Sequence, residues 1–324
     1  MSENERPAGP SARRTWALRI ARIAVTAAAF AFVLSRVDLP ALGAAIAHVP
    51  ISSFLRATVI CSANLLLGTA RWRALLAAYG AKTRPPFLRL FQIYWIGFFY
   101  NMWLPGGVGG DVVRGVASRE AFGERGTTSA MAVVFVERVL GLVGLLLVLG
   151  IAWLVHPIPG IEGVATWSIV GITAGAGAVA FVAIGRSLAR WLPGPLAAIA
   201  ERLPRIERPL PFALALLMSL GTQSVVAITG HVLVDALHPE VPLAMATAYL
   251  PFTVGGAGAR EAVFQALYVR VGVSLEDATA AGLLIAAAYY LSSGIGGLMP
   301  APTPAAAAPA STSGEPERAP GAPP

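Results

Sequence analysis

The sequence is poor in charged residues, in cysteine and in histidine. Only 13% of its 324 residues are charged, whereas 56% are hydrophobic. Soluble domains carry about 25% charged residues, so this composition excludes an ordinary soluble domain and favours a lipid environment. The single cysteine, Cys61, excludes an intramolecular disulfide. The four histidines are scattered without ligand spacing, and we expect no metal site.

Several signatures of enzymes and of nucleic-acid binding are also absent from the sequence. It has no Walker-type phosphate loop, no Asp-x-Asp pair for a metal-dependent glycosyltransferase, and no histidine cluster that offers a phosphoryl nucleophile. The net charge is +7, but the arginines lie between apolar segments and form no basic stripe. We therefore expect no nucleic-acid partner, no cofactor and no enzymatic activity.

Long apolar segments dominate the chain. A membrane-spanning helix needs about 20 mostly apolar residues, and six segments qualify: residues 16–34, 53–70, 128–155, 167–184, 212–237 and 278–299. The pattern predicts an all-α integral membrane protein. Residues 1–15 are expected to form a cytoplasmic N-terminal segment and residues 16–299 the transmembrane domain. The Pro- and Ala-rich residues 300–324 are expected to be a disordered tail.

Basic residues cluster in alternate loops. Lys and Arg collect in cytoplasmic loops of membrane proteins. The three clusters are Arg6, Arg13 and Arg14; Arg71, Arg73, Lys82, Arg84 and Arg89; and Arg186, Arg190, Arg202, Arg205 and Arg208. The intervening loops are nearly free of Lys and Arg. This distribution predicts a cytoplasmic N-terminus.

Two further apolar regions do not fit a simple alternation of spans. Residues 88–125 begin and end with basic residues, so we expect a re-entrant hairpin that enters and leaves on the cytoplasmic side. Residues 241–277 would enter from the opposite side. Non-helical backbone at that depth is tolerated only where it is buried in protein or lines a wet cavity. Eight full spans remain the alternative.

The two interruptions share one pattern. Residues 104–114 align without gaps on residues 250–260, and both read Leu-Pro, three residues, Gly-Gly, three residues, Arg, at an offset of 251 − 105 = 146. Three spans separate the copies, so they face opposite ways across the membrane. This arrangement predicts an inverted-topology repeat with two re-entrant broken helices among about six to eight transmembrane helices.

The repeated motif is typical of an anion site. Pro105 ends the incoming helix because it lacks an N–H group, and the paired glycines let the next helix begin with bare N–H groups. A bare helix N-terminus attracts anions. Arg114 and Arg260 follow one turn later, where a guanidinium group is able to grip a phosphate.

Two adjacent charges, Glu137 and Arg138, lie near the middle of the longest apolar run. Each such charge is unfavourable by about 2.5–3.5 kcal/mol on insertion scales, so neither is expected to face lipid. Neighbouring helix residues point in different directions. The expected partners are Asp111 or Glu261 for Arg138, and Arg114 or Arg260 for Glu137. A purely structural ion network remains the alternative to a binding site.

An aromatic run precedes the first break, at residues 94–103. Helix packing or an interfacial belt explains it better than a substrate-stacking surface does. Asn101 is a stronger candidate, because a buried amide so close to the break needs partners. The complete set of expected substrate-binding residues is Asn101, Pro105, Gly109, Gly110, Asp111, Arg114, Glu137, Arg138, Gly255, Gly256, Gly258, Arg260 and Glu261.

Together these motifs resemble the lysylphosphatidylglycerol synthase transmembrane-domain family, also called the flippase-like domain family. The resemblance rests on Arg71-Trp72-Arg73, Phe99-Tyr100-Asn101, Leu104-Pro105-Gly106, residues 109–114, Val136-Glu137-Arg138, Leu140-Gly141 and residues 255–261. It implies a bacterial or archaeal protein of the cytoplasmic (inner) membrane that moves lipids between leaflets. In the best-known fused members the lipid is aminoacylated phosphatidylglycerol. Other members are associated with glycolipid, polyprenyl-linked sugar or hopanoid pathways.

Two departures from that family bear on function. No aminoacyl-transferring domain follows residue 299, so lysylphosphatidylglycerol synthesis by this chain is not expected. The last span reads Ala286-Ala287-Ala288-Tyr289-Tyr290 where the family often carries an arginine.

The leading hypothesis is a lipid flippase or scramblase for an anionic phospholipid, a polyprenyl lipid or a glycolipid. An intramembrane lipid-modifying enzyme and an accessory scaffold are the alternatives. Membrane lipids are the expected partners, together with enzymes of lipid or glycan biosynthesis. The sequence leaves the oligomeric state open.

Overall fold

A computed structural model of the chain describes residues 31–83, 85–104, 108–157, 163–202, 205–241, 243 and 259–300. Regular secondary structure in these ranges is helical and includes no strand. The α-helices are α1 (Leu39–His48), α2 (Ile51–Ala78), α3 (Phe87–Trp103), α4 (Gly109–Ala117), α5 (Gly126–Val155), α6 (Val164–Leu188), α7 (Gly194–Arg202), α8 (Pro209–Asp235), α9 (Ala259–Tyr268) and α10 (Leu275–Gly297). Short 3-10 helices cover Arg119–Arg125, Ala189–Trp191 and Val269–Val271.

Five helical stretches within these ranges are long and apolar enough to cross a membrane. They are Ile51–Ala78, Gly126–Val155, Ala165–Trp191, Pro209–Asp235 and Leu275–Gly297. Each overlaps one of the predicted spans, which confirms five of the six. The predicted first span begins outside the described residues, although residues 31–34 are helical. The chain is therefore a multi-pass membrane protein of the all-α class.

The starts of the spanning helices follow from local sequence. Helix α2 begins directly after Pro50, and α8 begins with Pro209; proline is tolerated there because the first N–H groups of a helix have no partner within the helix. Helix α10 is capped by Ser274, whose hydroxyl accepts a hydrogen bond from the Asp277 amide at 3.0 Å. Helix α2 continues to Ala78, eight residues beyond the predicted end of its span (78 − 70).

Three loops meet at one end of the helix bundle, which we call the basic end. The Lys82 amide donates to the Ala121 carbonyl at 2.8 Å, and the Glu207 amide donates to the Ala78 carbonyl at 2.8 Å. The loops after α2, after α4 and before α8 are thereby joined. An apolar core that includes Trp72, Leu75, Val136 and Phe212 lies behind them. The basic residues of these loops share one end of the bundle, as their charge predicts.

The loops that are poor in Lys and Arg meet at the opposite end. There the Asp38 amide donates to a carboxylate oxygen of Glu276 at 3.3 Å. His238, just after α8, lies 2.9 Å from Glu240 through Nδ1 and 2.9 Å from Asp277 through Nε2. Burial lowers the pKa of His238, but the hydrogen bonds to Asp277 and Glu240 outweigh it and raise the pKa above its usual value. This contact ties the end of α8 to the start of α10.

Because the pKa of His238 is raised in the folded protein, its contribution to stability depends on pH. The contribution is complete below the pKa of an unfolded histidine, about 6.5, and is lost as the pH rises through the higher folded value. We expect the midpoint of thermal unfolding in detergent to fall by about 2 °C between pH 6 and pH 9, and this fall to disappear in His238→Gln. His48→Gln is the matched control and should keep the parent's pH dependence. An unchanged pH dependence in His238→Gln would show that this contact is not responsible.

Helices α3 and α4 form a helical hairpin that starts and ends at the basic end. Their arms touch where a Cβ on Gly110 would overlap the carbonyl group of Gly97, so glycine permits the close approach. The hairpin reaches well into the bundle, because Tyr94 of α3 bonds to Glu137 of α5. Glu137 is 137 − 126 = 11 residues from the first residue of α5, or about 16 Å at 1.5 Å per residue. The described arms therefore pack as a helical hairpin, and its re-entrant placement in the membrane stays a prediction.

The glycine-rich break of the second predicted hairpin lies outside the described residues. Its described part consists of Val241, Leu243, α9, the following 3-10 turn and the start of α10. Helix α9 packs on α10, where Gln265 donates to the Thr279 hydroxyl at 2.9 Å. The inverted repeat therefore stays a prediction.

Candidate functional site

Two arginines from different helices share one buried carboxylate in the middle of the bundle. The Glu137 side chain on α5 is only 2% exposed. Its Oε1 accepts from Arg71 Nη2 at 2.8 Å, and its Oε2 accepts from Arg114 Nη1 at 2.5 Å. Charged groups at this depth are strongly unfavourable unless they are paired. The expected pairing of Glu137 with Arg114 is confirmed.

A second carboxylate extends this arrangement. Asp111 Oδ1 accepts from Arg114 Nη2 at 2.7 Å. Asp111 also accepts two hydrogen bonds from Arg138, from Nε at 2.8 Å and from Nη2 at 2.9 Å. Such a bidentate arginine–carboxylate contact is stronger than a single hydrogen bond between neutral groups. The expected pairing of Arg138 with Asp111 is confirmed.

The five side chains form what we call the charged chain, in the order Arg71, Glu137, Arg114, Asp111 and Arg138. Three guanidinium groups and two carboxylates give a formal charge of 3 − 2 = +1. Glu137 and Arg138 are adjacent in sequence, yet they bond to different partners, as their positions on a helix require. The charged chain therefore links α2, α4 and α5 into one electrostatic unit with a positive balance.

Asn101 fixes the start of α4 beside the charged chain. Its Oδ1 accepts a hydrogen bond from the Gly110 amide at 2.8 Å, and its Nδ2 donates to Asp111 Oδ1 at 3.4 Å. The prediction that this amide needs partners is confirmed. The expectation of bare N–H groups at this helix start is wrong for two of them. Asn101 takes the Gly110 amide, and the Asp111 amide donates to the Val108 carbonyl at 3.1 Å.

The N-terminus of α4 is therefore already compensated. An amide oxygen and the carboxylate of Asp111 occupy its first turn, and both offset the positive end of the helix dipole. Anion binding at this break consequently depends on the arginine side chains more than on backbone amides.

Aromatic rings support Arg114. Its guanidinium carbon lies 4.8 Å from the Tyr94 ring centroid and 5.7 Å from a Trp72 ring centroid, within the range of cation–π attraction. The Tyr94 hydroxyl donates to Glu137 Oε1 at 3.3 Å. Sequence reasoning did not select Tyr94. Tyr94, Gly97 and Asn101 lie at positions i, i+3 and i+7 of α3, and this spacing places them on one face of the helix. The spacing is the sequence signal for Tyr94.

Arg71 was assigned by sequence to a basic loop, and this assignment is wrong. Its side chain is buried in α2, where it bonds to Glu137 and also donates from Nη1 to the Thr222 hydroxyl at 3.2 Å. The physical reason is the length of α2, which carries the span past residue 70. The apolar residues 74–78 that follow are the signal for this continuation.

Exposure is lowest at Glu137 and increases from there to Arg138, whereas the Arg71 side chain at the other end is 10% exposed. The exposed fraction of the side chain is 2% for Glu137 and 6% for Arg114, then 13% for Asp111 and 41% for Arg138. Beside the open end, Val108 just before α4 and Val112 and Val116 on α4 form an exposed apolar stripe at a spacing of four residues. An exposed apolar stripe on a membrane protein is suited to contact with lipid chains. The open end of the charged chain therefore lies next to an exposed apolar surface.

The structure brings six of the predicted site residues together: Asn101, Gly110, Asp111, Arg114, Glu137 and Arg138. Gly109 begins α4 next to the side chain of Leu104. Glu261 is buried in α9, where its Cγ lies against Gly282 of α10. The side chain of Arg260 and all of Pro105, Gly255, Gly256 and Gly258 lie outside the described residues. Their part in a site stays a prediction.

The chemistry offered by the site is ion pairing and hydrogen bonding. Within the described ranges no group of three or more His, Cys, Asp or Glu side chains is arranged to hold a metal ion. At this site the guanidinium groups of the charged chain are the donors suited to an anionic ligand.

Comparison with known proteins supports the resemblance found in the sequence. The profile of the family described as "Lysylphosphatidylglycerol synthase TM region" matches residues 19–297. No curated protein and no solved structure matches the sequence at a significant level. The matched region contains every residue of the charged chain and both glycine-rich breaks. With most of its length covered by that profile, the chain belongs to the family of lysylphosphatidylglycerol synthase TM regions.

Proposed function

We propose that this protein moves an anionic lipid between the leaflets of the cytoplasmic membrane without hydrolysing ATP. The supporting observation is the charged chain itself, which lies inside a bundle of membrane-spanning helices and opens at Arg138 beside an apolar surface. Buried charge at membrane depth is a sign of function when it faces a pathway. A phosphate-bearing headgroup and its acyl chains match the two parts of this site.

Arg138 is the residue that first meets the headgroup in this proposal. Its Nε and Nη2 donate to the two carboxylate oxygens of Asp111 in a bidentate contact. A lipid phosphate also offers two acceptor oxygens to one guanidinium group. The phosphate replaces Asp111 on Arg138 while the acyl chains stay along the stripe of α4. Asp111 keeps Arg114 as a partner, so the exchange leaves no carboxylate unpaired.

The second half of the pathway comes from the predicted second break. The residues assigned to it are Gly255, Gly256, Gly258, Arg260 and Glu261. In an inverted repeat the two hairpins enter from opposite sides and rock against each other around a central site. The headgroup passes from the arginine of one hairpin to that of the other. The N-terminus is cytoplasmic in this arrangement, with six spans and two re-entrant hairpins.

Leaflet exchange in liposomes tests the proposal. The purified protein is reconstituted with a trace of fluorescent phosphatidylglycerol, and exchange is measured by quenching of the outer leaflet. We expect Arg138→Gln to reduce the rate about tenfold or more, since one good charge-assisted contact contributes about 1.5–3 kcal/mol. Arg73→Gln is the matched control, because Arg73 is exposed on α2, and it should exchange lipid like the parent.

The same experiment separates the competing classes of function. Chemical change of the lipid headgroup would identify an enzyme that modifies lipids. Absence of both exchange and chemical change, with the protein folded, would favour a scaffold for enzymes of lipid or glycan biosynthesis. Equal rates of exchange in the parent and in Arg138→Gln would mean that the lipid does not pass along the charged chain.

A further inference from the structure

A second basic site lies at the basic end, separate from the charged chain. It is an open depression of ≈ 430 Å³ between the end of α6, the 3-10 turn that follows, α7 and the segment before α8. We call it the basic basin, and its lining residues are Arg186, Ser187, Ala189, Arg190, Glu201 and Arg205. No residue of the charged chain contributes to it.

The lining of the basic basin is strongly polar and positive in balance. Three arginines and one glutamate give a formal charge of 3 − 1 = +2. The arginines come from two parts of the chain: Arg186 and Arg190 lie four residues apart at the end of the stretch Ala165–Trp191, and Arg205 lies in the segment that precedes α8. A basic loop that served only to orient the protein would need the charges but not their convergence on one depression. The convergence therefore indicates a ligand of negative charge.

The surroundings of the basic basin place it at the level of lipid headgroups. The spanning stretch Ala165–Trp191 ends there. Trp191 is 75% exposed and lies beside Arg190, whose guanidinium carbon is 5.5 Å from a ring centroid of the indole. Leu188 and Leu196 are exposed on either side. Tryptophan and arginine near the end of a span are typical of the membrane interface.

We propose that the basic basin binds the phosphate of an anionic lipid in the leaflet at the basic end. The arginines hold the phosphate, and the exposed Trp191, Leu188 and Leu196 contact the glycerol region and the upper acyl chains. A soluble phosphate compound matches the arginines but gains nothing from these apolar neighbours, so the lipid is the better ligand. This site does not depend on leaflet exchange through the charged chain.

Lipid retention by native mass spectrometry tests this site. The protein in a neutral detergent is titrated with dioleoylphosphatidylglycerol, and the bound lipid is counted. Each interfacial arginine contributes about a fivefold factor in affinity for an anionic membrane lipid. We expect the double variant Arg186→Gln/Arg205→Gln to bind the most tightly held lipid about 20-fold more weakly. Arg190→Gln alone should give a smaller decrease in the same direction.

The matched control removes two charges from the same end without touching the basin. Arg73→Gln/Arg208→Gln does this, since both arginines are exposed and neither lines the depression. It should bind phosphatidylglycerol within about twofold of the parent, an allowance for residual long-range charge effects. Arg138→Gln should also keep this binding, which separates the basic basin from the charged chain. The basin variants and the control double variant should retain the parent's thermal unfolding midpoint, because their changed side chains are exposed.

Three results would overturn the proposal. One is an equal loss of binding in the control double variant, which would mean that the overall charge of the basic end binds the lipid and the basic basin does not. Another is equal retention of dioleoylphosphatidylcholine and dioleoylphosphatidylglycerol, which would mean that charge is not recognised. The third is displacement of the lipid by inorganic phosphate at the same concentration, which would identify a soluble phosphate ligand instead.

Discussion

Glu137→Gln is expected to destabilise the protein by about 3–5 kcal/mol. The carboxylate of Glu137 balances Arg71 and Arg114, and all three side chains are buried. Glutamine has nearly the same shape but leaves two guanidinium groups without that negative charge in a low-dielectric interior. The midpoint of thermal unfolding in detergent should fall by about 10 °C. Size-exclusion chromatography should show a smaller folded fraction.

Two controls make this prediction specific. Glu201→Gln makes the same chemical change at an exposed position and should leave the midpoint within about 1 °C, as most surface substitutions do. The double variant Arg71→Gln/Glu137→Gln removes one positive charge together with the negative one, and Arg114 keeps Asp111. It should be more stable than Glu137→Gln, because residues of one ionic network do not act additively. A single variant as stable as the parent would mean that the carboxylate does not hold the network together.

Gly110→Ala is expected to force apart the two arms of the α3–α4 hairpin. The added Cβ would overlap the carbonyl group of Gly97. This carbonyl group belongs to the backbone, so no flexible side chain is able to move aside. Relief requires movement of α4, which also breaks the hydrogen bond from the Gly110 amide to Asn101. Overpacking of a close contact is unfavourable by about 1–3 kcal/mol, and the lost hydrogen bond adds about 1 kcal/mol. Lipid exchange should fall with stability, because Asp111 and Arg114 move with α4.

Gly177→Ala is the matched control for this change. A Cβ at Gly177 in α6 meets no atom within 4 Å, and alanine is the better helix former by about 1 kcal/mol. This variant should be as stable as the parent or slightly more stable, with unchanged lipid exchange. If Gly110→Ala behaved like Gly177→Ala, the close packing of the hairpin would not be needed for the site.

Much of the architecture was predictable because the bilayer imposes a simple rule on sequence. Spanning helices must be apolar over about 20 residues, so five of them were found from composition and length. The interrupted segment that becomes the α3–α4 hairpin was recognisable because basic residues flank it on both sides. Glu137 and Arg138 were conspicuous because they interrupt the longest apolar run.

Other parts of the site were not predictable from local pattern. Arg71 was assigned to a loop because charge alone was used to end the span, whereas the helix continues and Glu137 neutralises the arginine. The capping of α4 by Asn101 depends on contact between two helices that the sequence separates by a break. Tyr94 was not predicted for the same reason, since its partner Glu137 lies on another helix. The positions of these side chains depend on contacts between helices that are distant in sequence, and a single sequence does not show those contacts.

The proposed pathway takes a lipid headgroup past Arg138 and α4, inside the helix bundle. Photo-crosslinking in liposomes locates the headgroup, with phosphatidylglycerol that carries a diazirine on its headgroup. Peptide mapping should place crosslinks in residues 108–114 and around Arg138, and Arg138→Gln should remove them while the crosslinks at the basic basin persist. Crosslinks confined to α6, α7 and the loops, with none in α4 or α5, would show that the headgroup does not pass beside the charged chain.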